Sequence, residues 1–183
     1  MMKKVFIIKA IMMFAVFINV FACNGQTKPS VTSNAMEQYF GETVANIIAS
    51  PSKVRAYILT MNEPTEKSQT IGGFVIEKKL GNVKEANYSI LQFLLQDNAN
   101  YLPDSAGVRK CFFEPYLAFE FVKGKETAYV LLAFNCECWG VIYKNKSTER
   151  PHICQRQLLR FAQDLLPNDK YINKLLTFQE EKK

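Results

Sequence analysis

Residues 117–143 read LAFEFVKGKETAYVLLAFNCECWGVIY, and they contain the clearest strand pattern in the sequence. It contains three runs rich in β-branched and aromatic residues, at 117–122, 127–134 and 139–143, separated by short segments with turn residues. Such runs are typical of strands that pair antiparallel in sequence order. The stretch therefore predicts an antiparallel β-meander.

Side-chain alternation within the first run gives this predicted sheet two different faces. Leu117, Phe119 and Phe121 fall on one face, while Ala118 and Glu120 fall on the other, because successive side chains of a strand point to opposite sides. We expect the aromatic face to be buried in the core, although an exposed aromatic surface that binds a partner stays as an alternative.

Helical periodicity surrounds the meander. The further predicted elements are helices over about 34–50, 84–98, 151–166 and 168–176, and strands over 53–59 and 74–77. The fold class expected is α+β, an antiparallel β-meander packed with about three to four helices.

The N-terminus has the features of an export signal. It begins MMKK, has another cation at Lys9, and continues with an apolar run from Ala10 to Ala22 that is followed by Cys23. This run is shorter than the roughly 20 residues needed to span a bilayer as a helix, which favours a signal peptide over a permanent transmembrane anchor.

Residues 20–23, VFAC, resemble the lipobox of bacterial lipoproteins, with an aliphatic residue three positions before the cysteine and a small residue directly before it. The resemblance implies that residues 1–22 are removed and that Cys23 becomes a lipid-bearing N-terminus, which is stably anchored when two or three acyl chains insert in a membrane. An ordinary secretory signal in which Cys23 is incidental is the alternative. Both interpretations export the protein.

Composition then divides the remaining chain. Residues 23–34 are polar and contain glycine and proline, which predicts a flexible tether. Residues 35–178 are predicted to form a single α+β domain, and residues 179–183 a charged tail. The tether has no acidic cluster of the kind found in some surface-exported lipoproteins, so we expect a cell-envelope protein anchored to a membrane and facing the periplasm.

Charge argues against nucleic acid as a partner. Loss of the signal peptide lowers the number of Lys and Arg residues from 23 to 20, against 17 Asp and Glu residues. The sequence has no dense basic patch with interleaved aromatics. The expected partners are therefore the membrane, through the lipid on Cys23, and an envelope protein.

Four cysteines remain after Cys23, and an oxidising compartment favours disulfides between them. We favour Cys111 with Cys136 and Cys138 with Cys154, with the swapped pairing nearly equivalent. A bond between Cys136 and Cys138 is disfavoured unless the chain bends sharply, because their Cα atoms in a strand would lie about 6.6 Å apart.

A metal site is the more specific alternative to disulfides. Cys136, Cys138, His152 and Cys154 read C-x-C…H-x-C, a set of ligands suited to zinc or Cu(I). It would require three reduced thiols in an exported protein, so disulfides are favoured and no cofactor is predicted. Reduced or redox-active thiols are the third interpretation.

Catalysis is the weakest of the functional hypotheses. His152 is the single histidine, no nucleophile motif is present, and Glu114, Glu120 and Glu137 are expected on a solvated face. The sequence thus favours a protein that is not an enzyme.

Three stretches, CFFEPYLAFEF (111–121), LLAFNCECW (131–139) and LLRFAQDLLPNDKYINKL (158–175), resemble a group of exported bacterial proteins without an assigned activity. Their pattern has a cysteine, an aromatic and a proline before a strand, then a strand ending in C-F-x-C, then a C-terminal helix closing on a Leu-Pro-x-Asp turn. Cys111 and Cys136 match the first and last cysteines, Ala133 stands where the pattern has its middle cysteine, and Cys138 is additional. The resemblance covers about residues 84–176 and implies a fold region and an export route.

The function predicted is that of a membrane-anchored cell-envelope lipoprotein, non-catalytic, that binds a protein or another envelope component. The alternative is a thiol or metal-binding envelope protein that uses Cys136, Cys138, His152 and Cys154.

Overall fold

The computed structural model describes residues 34–103 and 111–181, which belong to one compact unit. The predicted signal peptide, Cys23 and almost all of the tether lie outside the described residues. The α+β class is confirmed, with five helices and a curled seven-stranded antiparallel sheet in the described part of the chain. None of the described helices is both long and apolar enough to cross a lipid bilayer.

The elements follow in chain order. They are α1 (Ala35–Phe40), α2 (Glu42–Ala49), β1 (Lys53–Thr60), β2 (Thr70–Ile71), β3 (Phe74–Asn82), α3 (Glu85–Gln96), a 3₁₀ turn (Asn98–Asn100), β4 (Leu117–Lys123), β5 (Glu126–Ala133), β6 (Cys138–Tyr143), β7 (Lys146–Pro151), α4 (Gln155–Leu165) and α5 (Lys170–Glu181). Helix α5 thus continues into the segment predicted to be a charged tail.

The first predicted helix is two helices. Asn34 caps α1 as expected, since its side-chain oxygen accepts a hydrogen bond from the Met36 backbone N–H at 3.0 Å. Gly41 then adopts a φ of 86°, a left-handed conformation that only glycine adopts at little cost. The chain therefore leaves the α1 axis at Gly41 and begins α2 in a new direction.

The predicted meander is β4–β5–β6, and the chain extends it by one strand. The sheet order is β2-β3-β1-β4-β5-β6-β7. Strand β7, the polar segment KSTERP, pairs with β6 and places Pro151 opposite Cys138. Pro151 was expected to begin a helix, but it ends an edge strand, where its missing N–H costs no ladder bond. Helix α4 begins four residues later.

The main core lies on one face of the sheet. Leu117, Phe119 and Phe121 have no exposed surface, and the helices pack over them together with Trp139 and Leu158. The predicted alternation of β4 is confirmed, because Ala118 belongs to a separate apolar cluster with Tyr57 and Leu131.

The second face is covered by the curl of the sheet itself and by the segment that precedes β4. The β2–β3 hairpin folds over until Gly72 meets Ile142 of β6, and a β-carbon at Gly72 would overlap the Ile142 side chain. Phe113 lies over β6, and packs both against the Tyr57 cluster and against Cys136 and Cys138.

Gly140→Ala should destabilise this second face. A β-carbon at Gly140 would lie 2.7 Å from Cζ of Phe113, so the ring must move. Overpacking of this kind costs about 1–3 kcal/mol, which urea unfolding would measure. In a Phe113→Ala background the same change should cost less, and an equal cost in both backgrounds would show that the ring is not the cause.

Candidate metal centre

The β5–β6 turn brings two of the four downstream cysteines together. Its residues run from Phe134 to Glu137, and Glu137 has a φ of 51°, a left-handed conformation that bends the chain sharply. Because of this bend Cys136 and Cys138 do not have the separation of an extended strand. The Cys138 thiol donates to the Cys136 carbonyl oxygen at 3.4 Å.

Cys111 reaches the same place from the segment before β4. The Asn135 side-chain amide donates to the Phe112 carbonyl oxygen at 2.9 Å and to the Glu114 carboxylate at 3.1 Å, which holds this segment against the turn. The Cys111 thiol lies 4.0 Å from the Cys136 carbonyl oxygen. Cys111 and Cys136, which are 25 residues apart in sequence, thus lie next to each other in the fold.

We refer to Cys111, Cys136 and Cys138 as the thiol cluster. Their sulfur atoms all lie within 4.8 Å of one another. A metal ion bound to three sulfurs at about 2.3 Å holds them about 4 Å apart, so small side-chain shifts would close the cluster on an ion. The arrangement can therefore hold a thiophilic ion.

No disulfide is present between cysteines of the described residues. The favoured Cys111–Cys136 bond would join two members of the thiol cluster, whose sulfurs would have to approach to about 2.05 Å. Cys154 is not a member of the cluster and packs in the main core. The pairing of Cys138 with Cys154 stays a prediction from sequence that the geometry does not favour.

The four residues of the predicted metal set are not gathered at one point. Only Cys136 and Cys138 of that set belong to the cluster found among the described residues, and Cys111 completes it. His152 is close along the backbone, where its N–H donates to the Glu137 carbonyl oxygen at 2.8 Å. Its ring, however, packs at a tilt against Trp139, with 5.0 Å between ring centroids, on the helix-covered face of the sheet, whereas Cys138 packs with Cys136 in a separate cluster.

A groove of about 400 Å³ opens beside the thiol cluster, between the β5–β6 turn and helices α4 and α5. Cys111 and Cys136 lie on its wall, together with Gln155 and Phe178. The Gln155 side-chain amide donates to the Phe134 carbonyl oxygen at 2.7 Å and so ties the turn to the first residue of α4. The sequence does not identify Gln155 as part of this site, because no pattern distinguishes a buried glutamine at the start of a helix from a solvent-exposed one.

Burial raises the pKa of the Cys136 thiol well above its usual range, and its hydrogen bond with Cys111 and the nearby Cys138 raise it further. A metal-free Cys136 is therefore protonated at neutral pH. An ion that binds there must displace a proton, so metal affinity should rise with pH.

The free energy of unfolding should fall in alkaline solution because of Cys154. Burial raises the pKa of this thiol to about 12. Between its unfolded pKa of about 8.5 and this value, the unfolded chain ionises while the folded chain stays protonated, so stability is lost at up to about 1.4 kcal/mol per pH unit.

Urea unfolding of Cys154→Ala and of the original protein between about pH 8 and pH 11 measures this loss. The variant should show the smaller decline. Identical slopes for the two proteins would mean that Cys154 is not the responsible group.

A carboxylate expected on a solvated face is in fact buried. Glu120 is only 6% exposed and pairs with Arg55, whose Nε donates to it at 2.6 Å, while the Tyr57 hydroxyl donates at 2.5 Å. Burial alone would raise the pKa of Glu120, but the bonds from Arg55 and Tyr57 outweigh it and lower the pKa. Glu120 is thus an ionised partner on the second face of the sheet, an arrangement that satisfies its charge.

Comparison with known proteins adds no assignment to this geometry. No protein family, curated protein or solved structure matches the chain. Function is therefore inferred from the residues and their geometry.

Proposed function

We propose that this protein is a cell-envelope lipoprotein, anchored to a membrane through Cys23, whose domain binds a thiophilic metal ion at the thiol cluster. The observation that carries the metal proposal is the convergence of three sulfur atoms within 4.8 Å from two separate segments. Thiolates bind soft ions such as Cu(I) and zinc in preference to hard ions.

Burial argues against thiol catalysis at Cys136. Cys136 is 4% exposed, and its raised pKa leaves little thiolate at neutral pH, whereas catalytic cysteines have lowered pKa values. A metal ion bound by such thiols offsets the cost of their ionisation by forming metal–sulfur bonds.

The support for the anchor comes from the N-terminal sequence alone. Residues 20–23, VFAC, follow a basic start and a short apolar run. Expression of the full chain in a bacterium, followed by mass measurement of the N-terminal peptide, should show acyl chains on Cys23. A Cys23→Ala variant should lack the modification and keep its leader, and an unmodified Cys23 in the mature protein would contradict the anchor.

The metal proposal is tested on the full chain purified from membranes under anaerobic conditions with a non-thiol reductant. We expect one equivalent of Cu(I) or zinc per chain after loading and gel filtration. Failure to retain either ion while all thiols are reduced would contradict it. A Cys111–Cys136 disulfide in the same preparation without reductant would instead support a structural role for these cysteines.

A second candidate is the non-catalytic interaction domain that binds an envelope protein. It is favoured by Phe178, which is 55% exposed on the groove wall, and by Phe112, which is 86% exposed beside Cys111. Exposed aromatics of this kind are common anchors of protein interfaces. A partner that still binds after the thiols are alkylated, and is lost in Phe178→Ser, would support this candidate over the first.

A further inference from the structure

The number of ligands at the thiol cluster distinguishes between soft ions. Among the described residues the cluster consists of Cys111, Cys136 and Cys138, and no histidine or carboxylate belongs to it. Structural zinc sites use four protein ligands in a tetrahedron. Cu(I), a monovalent d¹⁰ ion that prefers soft thiolates, is satisfied by two or three of them.

The imidazole closest in sequence does not supply a fourth ligand. His152 is 1% exposed, and its ring packs at a tilt against Trp139, which lies in the main core. Trp139 and Cys138 are neighbours on β6, and their side chains point to opposite faces of the sheet. The His152 ring therefore lies on the face of the sheet opposite to the Cys138 side chain, and it is not part of the thiol cluster.

The three sulfurs are held unequally. Cys136 and Cys138 are 4% and 9% exposed, and their turn is tied on one side by Gln155 and on the other by the Glu137 carbonyl oxygen bonded to His152. Cys111 is exposed and lies in a segment without regular secondary structure. Two ligands are therefore buried, and the third is exposed where an incoming molecule can reach it.

The groove gives an incoming molecule access to the same side. It is about 400 Å³ in volume, and Cys111 and Cys136 lie on its wall. The groove has the size of a small-ligand pocket, large enough to admit a thiol side chain of another molecule. The groove therefore gives an incoming molecule access to Cys111, the exposed ligand of the cluster.

Building on the proposed function, we propose that the bound ion is Cu(I) and that Cys111 is the ligand that yields to an incoming thiol. In the exchange one copper–sulfur bond forms to the incoming thiol and the bond to Cys111 breaks. The incoming thiol transfers its proton to the departing Cys111 sulfur. Copper stays in the +1 state throughout, so the step needs neither an oxidant nor a reductant.

The experiment uses the full chain, loaded anaerobically with one equivalent of Cu(I) and examined by X-ray absorption. Bathocuproine disulfonate serves as the Cu(I) acceptor and glutathione as the probe thiol, and zinc is titrated in parallel. The variants are Cys111→Ser and Cys138→Ser, with Cys111→Ala as a second replacement. Circular dichroism checks that each variant is folded.

The original protein should show three sulfur neighbours around copper. Both Cys111 variants should retain one Cu(I) on two sulfurs and transfer it about 10-fold faster or more, on the scale of effects seen when a metal site loses support. Cys138→Ser should instead bind Cu(I) more than about 100-fold more weakly than the original protein, because it loses a buried ligand whose position is fixed by the sheet.

Three other results would overturn the proposal in distinguishable ways. Displacement of Cu(I) by zinc with four ligands would reject the ion and leave the proposed function standing. Equal losses in the Cys111 and Cys138 variants would reject the special role of Cys111. Failure of the original reduced protein to bind either ion would reject the proposed function with it.

Discussion

Cys138→Ser is expected to lower the affinity for a thiophilic ion by more than about 100-fold, because loss of a support outside the ligand shell already costs about 10- to 100-fold. Cys138 begins β6, so its backbone is fixed by pairing with both β5 and β7. No other described cysteine lies in the cluster to replace it. Competition with a chromophoric chelator under anaerobic conditions measures the change.

The matched control is Cys154→Ala. This residue is a buried cysteine like Cys138, but it packs in the main core outside the thiol cluster. Metal affinity should be unchanged in this variant, even if the protein is somewhat less stable. Equal losses in both variants would indicate that general destabilisation, rather than a lost ligand, explains the result.

Trp139→Ala is expected to cost about 3–5 kcal/mol in the free energy of unfolding, a large part of the total stability of a typical domain. The Trp139 side chain has no exposed surface. It lies between Tyr101, at 4.8 Å between ring centroids, and His152, at 5.0 Å. Removing the indole leaves a cavity where β6, β7 and the segment after α3 meet.

Urea unfolding measures the cost, with Phe93→Ala as the aromatic control. Phe93 is 68% exposed on α3, so its loss should change stability by no more than about 0.5 kcal/mol. A loss of less than about 1 kcal/mol for Trp139→Ala would contradict the central position that the structure gives this residue.

The meander could be predicted because its pattern is local. Three runs with strand propensity lie close together, and the alternation of β4 identifies the face that packs under the helices, although residues of both its faces are buried. Strand β7 could not be predicted, because KSTERP is polar and its strand conformation comes from pairing with β6. The break at Gly41 was equally hidden, since apolar periodicity continues from α1 into α2.

The thiol cluster was predicted in part. The sequence predicts that Cys111 lies near Cys136, as a disulfide, because the two flank the first strands of the meander. It also groups His152 and Cys154 with Cys138, because they are close in sequence. The register of β6 with β7 does bring Pro151, next to His152, opposite Cys138. The side chains of Cys138 and His152 nevertheless point to opposite faces of the sheet. Their direction is set by the register of β7, a strand that the sequence does not predict.

Strand β7 is also the last strand of the sheet, and its composition bears on how the protein behaves when many copies are crowded together. An open edge invites strands of other molecules to add to it, which is a route to aggregation. Here the edge carries Lys146, Glu149 and Arg150, it ends at Pro151, and Arg150 is drawn over the Tyr39 ring of α1. The charged residues and the proline at this edge oppose the growth of a continuous intermolecular sheet. The polar composition that makes β7 hard to predict from sequence therefore also protects the folded protein against aggregation.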